Sequence, residues 1–260
     1  MLYYKTFIQS PDHPWVVLVH GAGGSSSIWF RQIKAYRKHF NILIPDLRGH
    51  GRSSRLSKFW NRSYTFESLS SDILEVMDHL EIDKAHFVGI SLGTIMIRTI
   101  AEMQPERVQS MTMAGAVMRL NFRSRFLVGL GNFFKHMVPY MWLYRLFAWI
   151  IMPKKRHSGS RFLFIREARK LYRDEFLRWF KLTNQVNPLL RLFREKPSRA
   201  PVLYLMGSED YMFLPTIKKL AREHSNAFLK VIESAGHVCN IDQPGQFNRH
   251  SIRFIQSLSR

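Results

Sequence analysis

Ser91 stands in the pentapeptide Gly89-Ile90-Ser91-Leu92-Gly93, where the apolar run AHFVGI meets the helical pattern LGTIMIRTIAEM. A nucleophile on a sharp strand-to-helix turn needs small residues on both flanks, and the helix N-terminus beside it favours negative charge. A serine hydroxyl is a weak nucleophile, so acyl transfer there also requires a base and a carboxylate that fixes the base's tautomer. Ser208-Glu209-Asp210 follows the run VLYLMG, and Ala235-Gly236-His237 follows AFLKVIES. The order serine, aspartate, histidine is the one this arrangement requires. Taken singly, His237 is one of eleven histidines and Asp210 suits a turn or a helix cap. Placed at successive strand ends, on the edge where open α/β sheets gather ligands, they fit a catalytic triad better than chance packing. Glu209 is the neighbouring carboxylate, and Asp210 is preferred. A tetrahedral oxyanion needs two N–H donors. The Leu92 amide is one, and the Ala22 amide is chosen as the other, from the loop His20-Gly21-Ala22-Gly23-Gly24.

These residues need a sheet to position them, and the apolar patterning supplies one. Trp15–Val19 and Ile42–Ile44 are short β-branched runs that read as buried parallel strands. A helix is expected between them over Ser26–His39. The alternation continues with a helix at Phe66–Leu80, a strand at Ala85–Ile90, a helix at Leu92–Met103 and a strand at Val108–Ala114. It resumes after Pro201 with VLYLMG as strand, a helix at Pro215–Glu223, a strand at Ala227–Ile232 and a helix at Gly245–Leu258. Such alternation predicts a mostly parallel sheet with helices on both faces.

The intervening segment differs in composition. The chain has 260 residues and a formal charge of +20, of which residues 119–200 carry +15 and the remainder +5. That segment also holds sixteen of the thirty-five aromatic residues. Phe162, Ile165, Ala168, Tyr172, Phe176 and Trp179 recur at three- and four-residue steps, which predicts one amphipathic helix through all of them. Met137–Met152 is the longest apolar stretch, interrupted by Pro139 and Arg145 and too short for a membrane span.

On His20-Gly21-Ala22-Gly23, Pro45-Asp46-Leu47-Arg48-Gly49-His50-Gly51-Arg52-Ser53, the pentapeptide around Ser91, Gly207-Ser208-Glu209-Asp210 and Gly236-His237, the chain resembles the α/β-hydrolase superfamily. The likeness is to its capped serine hydrolases, which include carboxylesterases and monoacylglycerol lipases. The resemblance implies a core formed by residues 1–118 and 200–260, with residues 119–199 as a mainly helical cap. It implies Ser91, Asp210 and His237 as triad and an acyl-enzyme intermediate, with no cofactor and no metal. Asp46–Ser53 would be a structural loop at the active-site mouth, making Asp46, Arg48 and His50 scaffolding. Only about fourteen residues precede the first central strand, so the N-terminal strands are abbreviated relative to the family's eight-stranded pattern.

The resulting expectation is hydrolysis of a carboxylic ester with an apolar acyl group. Thioesters, lactones and C–C bonds use the same machinery, and a non-hydrolytic ligand-binding or signalling protein is the alternative. A dinucleotide site at Gly21–Gly24 lacks its third glycine, since Ser26 stands there. A metal hydrolase lacks the HExxH pattern, and the family's dehalogenases and epoxide hydrolases would carry aspartate in place of Ser91. Cys239 has no elbow of its own and reads as a packed thiol. The lone cysteine and the absence of an apolar leader point to a cytoplasmic protein. The basic, aromatic insertion could rest peripherally on anionic membrane. No nucleic-acid motif accompanies the charge, so a nucleic-acid partner is not expected.

Overall fold

The computed structural model describes residues 1–56, 63–120, 122–134 and 137–258. Among the described residues seven strands form one sheet: β1 (Tyr4–Phe7), β2 (Trp15–Val19), β3 (Asn41–Pro45), β4 (Ala85–Ile90), β5 (Val108–Ala114), β6 (Val202–Gly207) and β7 (Ala227–Ile232). Their spatial order is β1-β3-β2-β4-β5-β6-β7, with β1 antiparallel to β3 and the other neighbouring pairs parallel. The sequence reading places no strand before Trp15. β1 is a four-residue, half-buried edge strand whose regularity comes from its ladder to Ile42–Pro45 rather than from its own alternation.

Period-two alternation sends side chains of each central strand to opposite faces. Val17 and Val19 of β2 lie on the face covered by α2 (Phe66–His79), α3 (Leu92–Met103) and, beyond β5, α9 (Leu214–Glu223), whereas Val16 and Leu18 lie on the face of α1 (Phe30–Tyr36) and α11 (Pro244–Leu258). The Tyr36 hydroxyl lies 2.6 Å from Ser251 Oγ and joins α1 to α11. The helix expected over Ser26–His39 begins instead as a 3-10 turn at Ser26–Trp29, capped by Ser25, and becomes α-helical only at Phe30. A short helix, α10 (Cys239–Asp242), follows β7.

Among the described residues between β5 and β6 the chain forms five α-helices, α4 (Phe122–Phe134), α5 (Tyr140–Ile151), α6 (Ser158–Ala168), α7 (Arg173–Lys181) and α8 (Thr183–Glu195), with a 3-10 turn at Lys155–His157. The single amphipathic helix expected across Phe162–Trp179 is two helices, because the chain leaves α6 at Arg169 and Tyr172 is extended. Of the expected stripe, Ala168, Phe176 and Trp179 are buried whereas Phe162 and Tyr172 are exposed, so the spacing does not mark one buried face. What marks the boundary is Asp174-Glu175, acids suited to the first turn of a new helix. Among the described residues, no helix is long and apolar enough to cross a membrane.

Candidate active site

The Gly-x-Ser-x-Gly pattern is a steric requirement of the turn between β4 and α3. Ser91 has φ 53° and ψ −120°, a left-handed conformation that strains any residue with a side chain by about 1–3 kcal/mol. Its amide still donates to Ala114 O of β5 at 2.9 Å, so the strand pairing holds the strained turn. A Cβ on Gly89 would lie 2.7 Å from Gly93 O, and one on Gly93 would overlap the carbonyl oxygen of Val19. Gly21 passes close as well, since a Cβ there would lie 3.1 Å from Ser91 Cβ.

Asp210 and His237 follow β6 and β7 and reach Ser91 from the same edge of the sheet. His237 Nε2 lies 2.9 Å from Ser91 Oγ and Nδ1 lies 2.8 Å from Asp210 Oδ2. An ionised Asp210 can only accept, so Nδ1 carries the ring proton and Nε2 is left to accept from the serine hydroxyl. Asp210 is buried, and its other oxygen accepts from the Phe213 amide at 3.3 Å. Glu209 points elsewhere: its carboxylate accepts from Lys154 Nζ at 2.9 Å and meets His157 Nε2 at 2.8 Å. Burial pushes the Glu209 carboxyl up, but the bonds from Lys154 and His157 and the charge of Arg156 outweigh it and hold it below the usual range.

The glycine loop that supplies Ala22 is held by two buried histidines. The Leu47 amide donates to His20 Nε2 at 3.0 Å, which puts the proton on Nδ1, 2.8 Å from Gly21 O. The Gly23 amide donates to His50 Nε2 at 2.9 Å, and His50 Nδ1 bonds Arg48 O at 3.0 Å. Both rings are therefore neutral by their bonding. Burial also pushes both pKa values down, His50 to about 3 with help from neighbouring His20, while Asp46 and Gly21 O partly oppose the shift at His20. Asp46 accepts from the Ser26 and Arg52 amides, and Arg48 forms a buried bidentate pair with Asp72 at 2.7 and 2.8 Å. These bonds hold the loops of Asp46, Arg48 and His50 in place.

The helical insertion roofs Ser91 and contacts the core beside each of these loops. Glu167 of α6 accepts from Ser25 Oγ at 2.7 Å, next to the glycine loop. Trp179 Nε1 of α7 donates to Arg48 O at 2.9 Å and its ring stands edge-on to His50, with centroids 4.9 Å apart. His157 packs on Gly236, one residue before His237, while bonding Glu209, one residue before Asp210. Burial raises the Glu167 carboxyl, yet bonds from Lys170 and Ser25 outweigh it and keep the group ionised. Glu175 of α7 accepts from the Tyr64 hydroxyl of the core. The sequence reading missed Glu167, Glu175, His157 and Trp179. One signal was present: the insertion holds only four acids among nineteen cations, and two of them, Glu167 and Glu175, are buried.

Beneath this roof lies a cavity of about 280 Å³, and Ser91, His237, Ala22 and Leu92 form its floor. Its walls include Tyr144, Phe147, Ile151, Leu163, Phe176 and Phe180, and no Asp, Glu, Lys or Arg lines it among the described residues. Leu92 is the first residue of α3, so its amide has no intrahelical acceptor.

Cys239 is buried with Sγ 3.5 Å from Leu205 O. Burial, together with the charges of Asp242 and Asp210, raises its pKa and keeps the thiol protonated. The folded protein is expected to resist iodoacetamide at neutral pH and to take up one equivalent after unfolding in urea. Rapid alkylation of the native chain, read by intact mass, would contradict a packed thiol.

A family model described as "alpha/beta hydrolase fold" matches residues 14–137. "Putative carbamate hydrolase RutD" of Rhizobium rhizogenes is 26% identical over 268 residues, covering 97% of this chain and 96% of the relative. "Uncharacterized carboxylesterase nap" of Bacillus subtilis is 24% identical over 258 residues, covering 95% and 80% respectively. Among solved structures, the enol-lactonase from Burkholderia xenovorans LB400 superposes with a TM-score of 0.80 at 21% identity, covering 98% of this chain and 96% of that one. With its elbow serine just after β4 and a mostly parallel seven-stranded sheet flanked by helices, the chain has the α/β-hydrolase fold.

Proposed function

We propose that the protein is a serine hydrolase that cleaves carboxylic esters of uncharged, apolar acyl groups through an acyl-enzyme. The observation that carries this reading is the hydrogen-bonded series Asp210–His237–Ser91 opening into an apolar cavity. Ser91 Oγ attacks the carbonyl carbon while His237 Nε2 takes its proton, and Asp210 stabilises the resulting imidazolium. The amides of Leu92 and Ala22 receive the oxyanion. His237 then returns the proton to the leaving alkoxide as the ester C–O bond breaks. Water, deprotonated by His237, attacks the acyl-enzyme and releases the acid and Ser91.

The relatives' names span a carbamate hydrolase, a carboxylesterase and an enol-lactonase. The lining favours an uncharged substrate, because an unpaired charge brought into an apolar cavity costs several kcal/mol, and a neutral ester meets that condition. Against p-nitrophenyl esters of increasing acyl length, kcat/KM is expected to rise about fourfold per added methylene until the cavity is full. An ester whose acyl chain ends in a carboxylate is expected to fall behind its methyl-ended counterpart by about 100-fold or more, the worth of an uncompensated buried charge. A flat length profile, or preference for the charged acyl group or a carbamate, would reject this specificity.

A further inference from the structure

Large apolar side chains are exposed singly on most proteins, but here they collect on one segment. Eight of the eighteen that stand exposed among the described residues fall within residues 122–162. On α4, Phe122 and Phe126 occupy one face, with Phe122 84% exposed. On α5, Trp142, Leu146 and Trp149 recur at four- and three-residue steps, with Trp142 67% exposed. Each stripe carries an exposed arginine at the third position after its first aromatic residue, Arg125 on α4 and Arg145 on α5. Neither has an acidic partner among the described residues. The helices are neighbours: Gly131 of α4 lies against Phe147 of α5, and the Arg161 guanidinium of α6 sits 4.0 Å over the Trp149 ring. Phe162 of α6 is exposed beside it.

The inner faces of the same helices wall the catalytic cavity, through Val128 of α4 and Tyr144, Phe147 and Ile151 of α5. The outer face is therefore the other side of the roof over Ser91. Its charge selects the partner, for no aspartate or glutamate occurs between Glu106 and Glu167. Lys155 and Arg169 add exposed cations without acidic partners among the described residues. A second copy of the chain would set these cations against each other, whereas the core of an interface between copies is depleted in charge. Aromatic side chains interleaved with arginines suit the boundary between headgroups and acyl chains, where the ring inserts and the guanidinium stays at the phosphates.

We infer that the outer face of α4, α5 and the start of α6 docks on a bilayer of anionic phospholipid, with the cavity that holds Ser91 directly behind it. Docking is a property of the outer surface and does not depend on the ester-hydrolase reading. The Ser91→Ala protein is accordingly expected to bind membranes as the native chain does, which separates failure of one claim from failure of the other.

The test is co-sedimentation of the full chain with vesicles of phosphatidylcholine alone and of phosphatidylcholine with an equimolar share of phosphatidylglycerol. Binding is expected to the mixed vesicles only, and to weaken at high salt. Arg125→Gln with Arg145→Gln is expected to lower the partition coefficient about 30-fold, roughly fivefold for each cation removed from the surface. Phe126→Gln with Trp142→Gln is expected to weaken binding further at fixed charge. These four positions lie outside the cavity lining, so turnover of a short soluble ester should stay at the native rate and verify folding. A chain that remains in the supernatant with the mixed vesicles at low salt would overturn the inference. So would binding that none of the four substitutions alters, a dimer that the same substitutions dissolve, or retention on single-stranded RNA without retention on vesicles.

Discussion

Ser91→Ala is expected to lower kcat on a preferred ester by about 10⁶-fold, the scale at which a serine protease loses its nucleophile. The substitution removes one oxygen and keeps the Cβ that the strained turn already accommodates, so far-UV circular dichroism and the unfolding midpoint should be unchanged. His237→Ala is expected to cost a similar factor, and the double variant no more than either alone, because base and nucleophile act as one unit. Asp210→Asn is expected to cost about 10⁴-fold, since an amide facing Nδ1 at the 2.8 Å contact favours the wrong tautomer and stabilises no imidazolium. Glu209→Gln serves as the contrast. It is the adjacent carboxylate, but it faces Lys154 and His157 of the insertion rather than His237, so it should leave the chemical step nearly intact. The measurements are pre-steady-state release of nitrophenol and intact mass of the trapped acyl-enzyme. Turnover by Ser91→Ala at the native rate, or a Glu209→Gln loss larger than that of Asp210→Asn, would refute the assignment.

The elbow, the alternation of strands and helices around it and the two later loops were legible in the sequence because each is governed by local rules. A left-handed serine demands glycine at 89 and 93, and a parallel strand buried on both faces reads as an uninterrupted apolar run such as Val202–Met206. Ser91, Asp210 and His237, expected together from their order, are brought into hydrogen-bonding distance. The contacts that hold the roof were not legible. Glu167 meets Ser25 across 142 positions and Trp179 meets Arg48 across 131, and nothing in either local pattern encodes the partner. The break between α6 and α7 was hidden for a related reason. The aromatic spacing joined exposed Phe162 and Tyr172 to buried Phe176 and Trp179, and periodicity alone does not separate the two environments. Strand β1 owes its existence to pairing with β3, a non-local contribution that a four-residue run with two-way burial does not announce.

Between about pH 6.5 and pH 4.5, global stability is expected to fall steeply, driven by histidines that the folded chain keeps neutral. His20 and His50 brace the glycine loop, and His86 on β4 lies buried with Nδ1 2.8 Å from Ser110 Oγ. Burial lowers all three, His50 to about 3 and His86 to about 4. The sign follows from which state takes the proton. Above the ordinary histidine pKa both states are neutral and stability is level; below it the unfolded chain protonates while the native rings do not. Stability therefore drops until the pH passes the native values. Each such ring contributes up to about 1.4 kcal/mol per pH unit, so His50 and His86 together approach roughly 3 kcal/mol per unit, and His20 acts in the same direction. Over the window that slope is comparable to the lower end of an ordinary domain's stability of about 5–15 kcal/mol. The depressed carboxyls of Glu102, Glu167 and Glu209 act in the same direction, but only below about pH 4.5, where unfolded carboxylates begin to protonate. Urea unfolding at intervals from pH 8 to pH 5 separates the two groups. His86→Asn is the decisive variant, because it lies away from the catalytic loops, retains a polar partner for Ser110, and should reduce the slope by about one proton. Protonating His50 would in addition place a hydrogen on the nitrogen that now accepts from Gly23, releasing the loop that carries the Ala22 amide. A stability curve flat from pH 7.5 to pH 5, or an unchanged slope in His86→Asn, would show that these rings take up protons in the folded state without cost.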